Sequence, residues 1–258
     1  MSPCALQHSR LAALALGVLF AASGVASAAD DATLRERIES RLTKAGLAAQ
    51  GEIHVNVRDG RAELTGAVPT FDVLERAGKA AHKETAQVEN HLRVLPEPRS
   101  DAEIRKDVES AILRYPYYTV FDSIGLQVSD GVVVLGGSVQ HPYRRTDLHE
   151  RVASVPGIRE LHDRVAVQGV SFHDDRLRVQ LLSGIYGGGL LSHYGTLHPP
   201  VRILVDRGRV TLTGYVSSEV ERALIGSIAR STLAFAVENR IQLESERGQE
   251  AERKRTDS

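Results

Sequence analysis

Histidine and carboxylate side chains are the residue types in this chain that could carry out metal or acid–base chemistry. Nine histidines follow residue 28, and none stands in the H-E-x-x-H pattern that places two zinc ligands on one helix face. His193 and His198 fall in one predicted loop, and His173 begins a short polar cluster with Asp174 and Asp175. Either group could hold a metal ion adventitiously, but neither has the ligand spacing of a structural or catalytic centre. We therefore predict no metal site.

The other chemistry-bearing residues form no catalytic pattern. Cys4 is the only cysteine, so neither a disulfide framework nor a multi-cysteine metal site is possible. The glycine run 187–189 lacks the Lys-Ser/Thr ending of a phosphate-binding loop. With 32 basic and 33 acidic residues, the net charge of −1 gives no electrostatic case for a nucleic-acid partner. The sequence therefore predicts no enzyme and no cofactor.

The first 28 residues have the features of a secretory signal peptide. Arg10 supplies the positive charge, residues 11–20 the apolar stretch, and residues 26–28 the small-x-small cleavage pattern. The apolar stretch is short for a membrane span, which needs about 20 residues; an uncleaved anchor is the alternative. We expect a mature chain that is located in the periplasm, free or peripheral to the outer or inner membrane.

Three segments of the chain repeat one another without a gap. They begin at Ile53, Ile124 and Val201, at successive offsets of 71 and 77 residues. In each segment apolar residues alternate with period two, which predicts a half-buried hairpin. Arg207 replaces the aspartate of the other two turns, which leaves open whether the third turn has the same geometry. Two glycines recur in every copy, one in the turn and one at a predicted bulge or close backbone approach: Gly60, Gly131 and Gly208, then Gly66, Gly137 and Gly214.

Helical patterns flank each hairpin. Upstream, apolar residues recur every four positions, and Asp31 and Asp101 stand where N-caps are expected. Downstream, 71–85, 143–154 and 218–231 are helical in pattern, and a short last strand follows each of them. The predicted fold class is α+β, with three tandem αββαβ domains whose helices pack on one face of a mixed three-stranded sheet. We place the domains at 30–97, 100–168 and 172–244, and a charged disordered tail at 245–258.

This repeat resembles the BON domain, named for bacterial osmotically inducible and nodulation proteins. The hairpin motif is clearest at 126–139 and the last-strand motif at 155–167, and the resemblance covers about 30–244. It implies a periplasmic or outer-membrane-associated protein without enzyme activity, which binds phospholipid surfaces or other envelope components. Some members help the envelope withstand osmotic stress.

Two features distinguish the copies from one another. Val132 and Val134 make the outward side of the second hairpin apolar, which indicates a cover from a neighbouring repeat, a partner or lipid. The loops after the first helices of repeats 2 and 3 carry rings that suit either a membrane–water boundary or the edges of small cores. The candidate lipid- or partner-binding residues in these loops are Tyr115, Tyr117, Tyr118, Tyr186, Leu190, Leu191 and Tyr194.

No segment of the sequence is polybasic. The net charge is −2 for residues 30–97, −1 for 99–168 and +2 for 169–243. Attraction to anionic lipid is worth only about 1 kcal/mol per well-placed basic residue, so we expect lipid binding to depend on apolar insertion. The preferred hypothesis is peripheral phospholipid binding, and the alternative is protein–protein interaction or self-association on an envelope complex.

Overall fold

A computed structural model describes residues 28–95, 99–191, 194 and 199–246 of the chain. Repeat 1 contains α1 (Ala28–Lys44), β1 (Glu52–Arg58), β2 (Arg61–Val68), α2 (Phe71–His82) and β3 (Val88–Val94). Repeat 2 contains α3 (Asp101–Leu113), β4 (Ser123–Ser129), β5 (Val132–Val139), α4 (Pro142–Ala153), β6 (Glu160–Asp163) and β7 (Ala166–Val167). Repeat 3 contains α5 (Phe172–Tyr186), β8 (Val201–Asp206), β9 (Arg209–Val216), α6 (Glu219–Arg230) and β10 (Ala236–Leu243). The predicted signal peptide up to residue 27, His193, His198 and the tail from residue 247 lie outside the described residues.

The second hairpin strand is central in every sheet. It pairs antiparallel with the first strand and parallel with the last, so each sheet is mixed. In repeat 2 the last strand is interrupted, and β6 and β7 both pair with β5. The predicted α+β class with three tandem αββαβ domains is confirmed.

Each repeat has its own small apolar core between its helices and one sheet face. The period-four stripes supply the helix side of these cores, with Ile38 and Leu42 in repeat 1 and Leu181 and Ile185 in repeat 3. Alternate strand residues such as Leu64 supply the sheet side. Because three cores of this size need few large rings, the low aromatic content of the chain suits the architecture.

All three hairpin turns have the same backbone geometry. The first turn residues Asp59, Asp130 and Arg207 have φ of 52°, 51° and 50°, and the glycines that follow have φ of 75°, 72° and 73°. Two successive residues with positive φ define the tight turn that matches strand twist. Arg207 therefore adopts the left-handed conformation that aspartate and glycine tolerate more readily, and the third turn does not differ.

The second repeated glycine lies where two backbones approach closely, as predicted. Gly137 has φ of 97°, and a Cβ atom there would overlap the carbonyl oxygen of Ser123. Gly66 and Gly214 have the same relationship to the carbonyl oxygens of Glu52 and Pro200. Only glycine fits at these three positions.

The prediction that Asp31 and Asp101 are N-caps is wrong. α1 already begins at Ala28, and α3 is capped by Ser100 in a capping box with Glu103. The Asp101 carboxylate instead accepts hydrogen bonds from the backbone nitrogens of Asp130 and Gly131, at 2.8 and 2.9 Å. These bonds come first among the causes that lower the pKa of Asp101. The first helix of the repeat thus holds the hairpin turn.

The polar residue of each last strand hydrogen-bonds the local backbone. The side-chain oxygens of Asn90, Asp163 and Asn239 each accept a hydrogen bond from the backbone nitrogen two residues further on, at 3.3, 2.9 and 3.2 Å. The amide of Asn90 also donates to the carbonyl oxygen of Leu74 on α2. This side chain therefore ties the last strand to the second helix.

Repeats 1 and 2 contact each other through their second helices. Nε2 of His149 on α4 lies 2.8 Å from Oε2 of Glu75 on α2, and Nδ1 lies 3.7 Å from a carboxylate oxygen of Asp163. Phe71, the first residue of α2, packs against the core of repeat 2. A polar bridge and an apolar contact thus join the two repeats.

Candidate functional site

The tyrosine loop of repeat 2 is largely buried. Tyr115 is only 2% exposed, and its hydroxyl donates to Asp147 over 2.6 Å. Burial, followed by this hydrogen bond, raises the pKa of Tyr115. Tyr118 is half-buried under the Arg202 guanidinium, which lies 4.6 Å from the ring centroid. Of the three predicted rings, Tyr117 alone remains largely exposed, at 56%.

The same loop forms the junction with repeat 3. The carbonyl oxygen of Val120 accepts a hydrogen bond from the backbone nitrogen of Ile203 on β8, at 2.8 Å. The Val120 side chain belongs to the core of repeat 3, although the residue precedes the first strand of repeat 2. Asp122 is fully buried and accepts from Arg144 over 2.6 Å and from the backbone nitrogen of Thr119. This ion pair fixes the loop in its junction position.

The corresponding loop of repeat 3 also packs inward. The Tyr186 hydroxyl donates to the carbonyl oxygen of Val201, and burial raises the pKa of Tyr186 to about 12. The Tyr194 hydroxyl hydrogen-bonds the Glu221 carboxylate over 3.1 Å. Leu191 is buried and Leu190 is half-buried against the same core. These side chains close the edge of the core, and the structure does not gather them with Tyr117 into one surface.

Val132 and Val134 lie on the outer face of the second sheet, and each is half-buried. Val132 stands between Ser129 and Glu160 on the neighbouring strands. In the other repeats the position of Val132 is occupied by Arg61 and Arg209. The apolar outer face is therefore a property of repeat 2.

An exposed apolar cluster in repeat 3 was not predicted from the sequence. We call it the phenylalanine patch, and it consists of Phe172, Leu233 and Phe235, which are 79%, 72% and 78% exposed. Phe172 begins α5, whereas Leu233 and Phe235 lie in the loop between α6 and β10. His173 stacks on Phe235 with centroids 5.1 Å apart, and the Arg176 guanidinium lies 5.3 Å from the Phe172 centroid. Two segments about 60 residues apart thus present one apolar surface with a basic neighbour.

Phe235 of the patch occupies a position that repeat 2 fills with a cation. The backbone nitrogen of Phe235 donates to the carbonyl oxygen of Gly208, as that of Arg159 donates to Gly131 in repeat 2. Phe235 and Arg159 are therefore equivalent, and an exposed cation in one repeat is an exposed ring in the other. The differing loop lengths before the last strand hide this exchange in the sequence.

Among the residues that the structure describes, no group of three His, Cys, Asp or Glu side chains is arranged to hold a metal ion. Within the same residues, no helix is both long and apolar enough to cross a membrane.

The protein is therefore a tandem α+β repeat protein. Its three repeats have the same backbone fold and differ in the side chains of their loops and outer sheet faces. The BON domain family model matches residues 30–96, 100–169 and 192–245, so the chain belongs to the BON domain family. The sequence resemblance to this family, in three tandem copies, is confirmed.

Known proteins add little beyond the family. No curated protein matches the chain. Among solved structures, the chain is similar to the C-terminal domain of CdsD, a type III secretion structural protein of Chlamydia trachomatis, with 15% identity and a TM-score of 0.22 over 81% of this chain and 96% of that one. It is also similar to the periplasmic domain of the type III secretion inner membrane protein PrgH from S. typhimurium, with 13% identity and a TM-score of 0.21 over 80% and 100%. Scores this low carry no argument about fold or function.

Proposed function

We propose that this protein is an exported, non-enzymatic binding module of the bacterial envelope, which attaches peripherally to phospholipid surfaces from the periplasm. Residues 1–28 direct export in this proposal, and membership of the BON domain family supports the envelope setting. The observation that carries the proposal is the phenylalanine patch of repeat 3. The physiological role would be protection of the envelope under osmotic stress.

The patch has the chemistry of a shallow membrane anchor. Burying a large apolar side chain is worth about 1.5–3 kcal/mol, so insertion of Phe172, Leu233 and Phe235 would support reversible binding. Arg176 lies beside the patch, and residues 169–243 have a net charge of +2. An apolar tip with a guanidinium beside it matches the anionic surface of a bilayer. Binding through this patch would leave the three sheets free for other contacts.

Co-sedimentation of the mature chain, residues 29–258, with vesicles of phosphatidylethanolamine and phosphatidylglycerol tests the proposal. We expect binding, and we expect the double variant Phe172→Ser/Leu233→Ser to lose most of it. The matched control is Val179→Ser/Val220→Ser, because both valines are 67% exposed on helices outside the patch. Absence of binding at low salt, or equal loss in patch and control variants, would refute the proposal.

A second candidate function is docking of a partner protein or a second copy on the outer face of repeat 2. Val132 and Val134 favour it, because they form an apolar surface that the other repeats lack. The substitution Val132→Lys tests it, and the fold should tolerate a cation there because Arg61 and Arg209 hold the equivalent positions. We expect a change in oligomeric state by sedimentation velocity, with vesicle binding intact. An unchanged sedimentation profile would argue against self-association through this face.

A further inference from the structure

A groove of about 750 Å³ lies between α1 and α2 of repeat 1. The basic side chains along it recur at helical spacing on the two helices and just after α2: Arg37, Arg41, Lys44, Arg76, Lys79 and Lys83. The acidic side chains that line it are Glu36 and Glu84 alone. Repeat 1 has a net charge of −2, yet six of its ten basic residues and only two of its twelve acidic residues line this groove. No segment of the sequence is strongly basic, so the sequence did not predict that the fold gathers six cations along one groove.

Glu84 organises one side of the groove. Its side chain is only 10% exposed, and it accepts hydrogen bonds from Nε of Arg37 over 2.8 Å and from Nε of Arg41 over 2.5 Å. These bonds, that from Arg37 first, lower the pKa of Glu84, so the carboxylate stays charged and holds both guanidinium groups. The hydrogen bonds and ion pairs of Arg37 and Arg41 with described residues use Nε and Nη2, so Nη1 of each guanidinium remains as a donor for a ligand.

The other cations of the groove are only partly neutralised. Arg76 pairs with Asp72 over 3.2 Å, and Lys79 pairs more loosely with Glu75 over 3.4 Å. Lys44 and Lys83 are exposed and form no ion pair within residues 28–95 and the other described ranges. Cations gathered this closely repel one another, and a ligand of opposite charge would relieve that repulsion.

The other two repeats provide an internal comparison for this groove. The copies align through the bounds of the second helices and through the aspartates that accept hydrogen bonds from the hairpin turns: Asp31, Asp101 and Asp174. The equivalent positions in repeat 2 are mostly acidic or neutral: Asp107, Ala111, Arg114, Asp147, Glu150 and Ser154. Those in repeat 3 carry no charge: Gln180, Gly184, Gly187, Leu224, Ser227 and Ser231. The fold does not need cations at these positions, so their presence in repeat 1 calls for another explanation.

We propose that the groove between α1 and α2 of repeat 1 binds a multiply charged, phosphate-bearing anion. Guanidinium groups fixed by a carboxylate offer planar donors for hydrogen bonds to phosphate oxygens, and the exposed lysines add charge without demanding one geometry. The site lies in repeat 1 and is separate from the phenylalanine patch of repeat 3. It therefore does not depend on the proposed function. The phosphate can belong to a soluble polyanion or to a lipid headgroup.

Isothermal titration of the full chain with inorganic tripolyphosphate at low salt tests the proposal. We expect saturable binding that weakens as salt is added. The double variant Lys44→Gln/Lys83→Gln removes two exposed cations of the groove, and we expect at least a tenfold loss of affinity. The matched control Arg58→Gln/Lys106→Gln removes two exposed cations outside the groove, and its affinity should stay within about twofold of the unmodified chain.

Vesicles distinguish the two sources of phosphate. If the groove variant no longer binds either tripolyphosphate or phosphatidylglycerol vesicles, the ligand is a lipid headgroup. If it loses tripolyphosphate binding but still binds the vesicles, the ligand is a soluble polyanion. The Phe172→Ser/Leu233→Ser variant should retain tripolyphosphate binding, which separates this site from the patch. Absence of tripolyphosphate binding, or equal losses in groove and control variants, would overturn the proposal.

Discussion

The carboxylate of Asp174 lies 2.6 Å from the backbone nitrogen of Gly208, which is 34 residues away in the hairpin turn of repeat 3. A second oxygen of the same carboxylate accepts a hydrogen bond from the nitrogen of Arg207 at 3.2 Å. Burial of Asp174 opposes ionisation, but the hydrogen bonds from Gly208, Ser171 and Arg207 outweigh it, and the pKa of Asp174 is lowered. The first helix of each repeat thus supports a turn whose backbone is unfavourable by itself.

Replacing Asp174 by Asn should destabilise repeat 3 by about 2 kcal/mol at neutral pH, because the charge-assisted hydrogen bonds from the buried Gly208 nitrogen and the part-buried Arg207 nitrogen are weakened. Since the folded pKa lies below the unfolded value of about 3.9, the carboxylate stabilises the fold above that pH and this contribution is lost as the pH falls through the folded pKa. The difference between wild type and variant should shrink as the pH falls below about 4. Hydrogen exchange of the β8 and β9 amides measures it, and a difference independent of pH would contradict the assignment.

Gly137→Ala should destabilise repeat 2 by at least about 2 kcal/mol, because the residue has positive φ and its new Cβ atom would overlap the Ser123 carbonyl. Its neighbour provides the control. Gly136→Ala meets nothing within 4 Å, so its effect should stay within about 0.5 kcal/mol. Urea unfolding followed by circular dichroism compares the two variants, and equal midpoints would show that the close approach is not required.

Arg207→Asn should stabilise repeat 3 by about 0.5–1 kcal/mol. Asn tolerates the left-handed conformation at φ of 50° better than Arg, and the hydrogen bond from the backbone to Asp174 is kept. The reciprocal change Asp130→Arg should destabilise repeat 2 by a similar amount, since it puts Arg into the equivalent turn. Thermal unfolding of both variants tests the pair, and shifts of the same sign would contradict the turn argument.

Val120→Ser should destabilise repeat 3, although Val120 lies within the matched range of repeat 2. The side chain is buried in the core of repeat 3, and its removal should cost about 1–3 kcal/mol. Val132→Ser is the control, because this valine is half-buried on the outer face of repeat 2. Hydrogen exchange should report faster opening of β8 and β9 for Val120→Ser only. Unchanged exchange in these strands would mean that the two repeats unfold independently.

The tandem fold was predictable because its signals are local. Alternation in the strands around Ile53, the turn glycines and the period-four helix stripes each depend on neighbours a few residues apart. The N-cap assignment of Asp31 failed for the opposite reason. Its carboxylate accepts hydrogen bonds from the backbone nitrogens of Asp59 and Gly60, which lie almost 30 residues further along the chain. Contacts at that separation leave no local pattern in the sequence.

The candidate surfaces were less predictable because exposure depends on which segments pack together. Tyr115 and Tyr117 are two residues apart and equally aromatic, yet one lies in a core and the other faces solvent. Val120 holds the loop that carries them against repeat 3. This contact joins two repeats, so the sequence pattern of one repeat does not predict it. His173 and Phe235 become neighbours only when α5 and the loop before β10 meet.

Local sequence patterns were enough to predict the three αββαβ repeats, the hairpin turns of repeats 1 and 2 and the family, since periodicity and glycine positions act over short distances. The geometry of the third turn and the placement of the side chains that distinguish the repeats depended on the folded structure. It turned most tyrosines inward, gathered the phenylalanine patch, and brought the cations of α1 and α2 to one groove in a repeat whose net charge is negative. The physical reason is that net charge and composition add along the chain, whereas exposure and electrostatic potential depend on distances between residues that the chain separates.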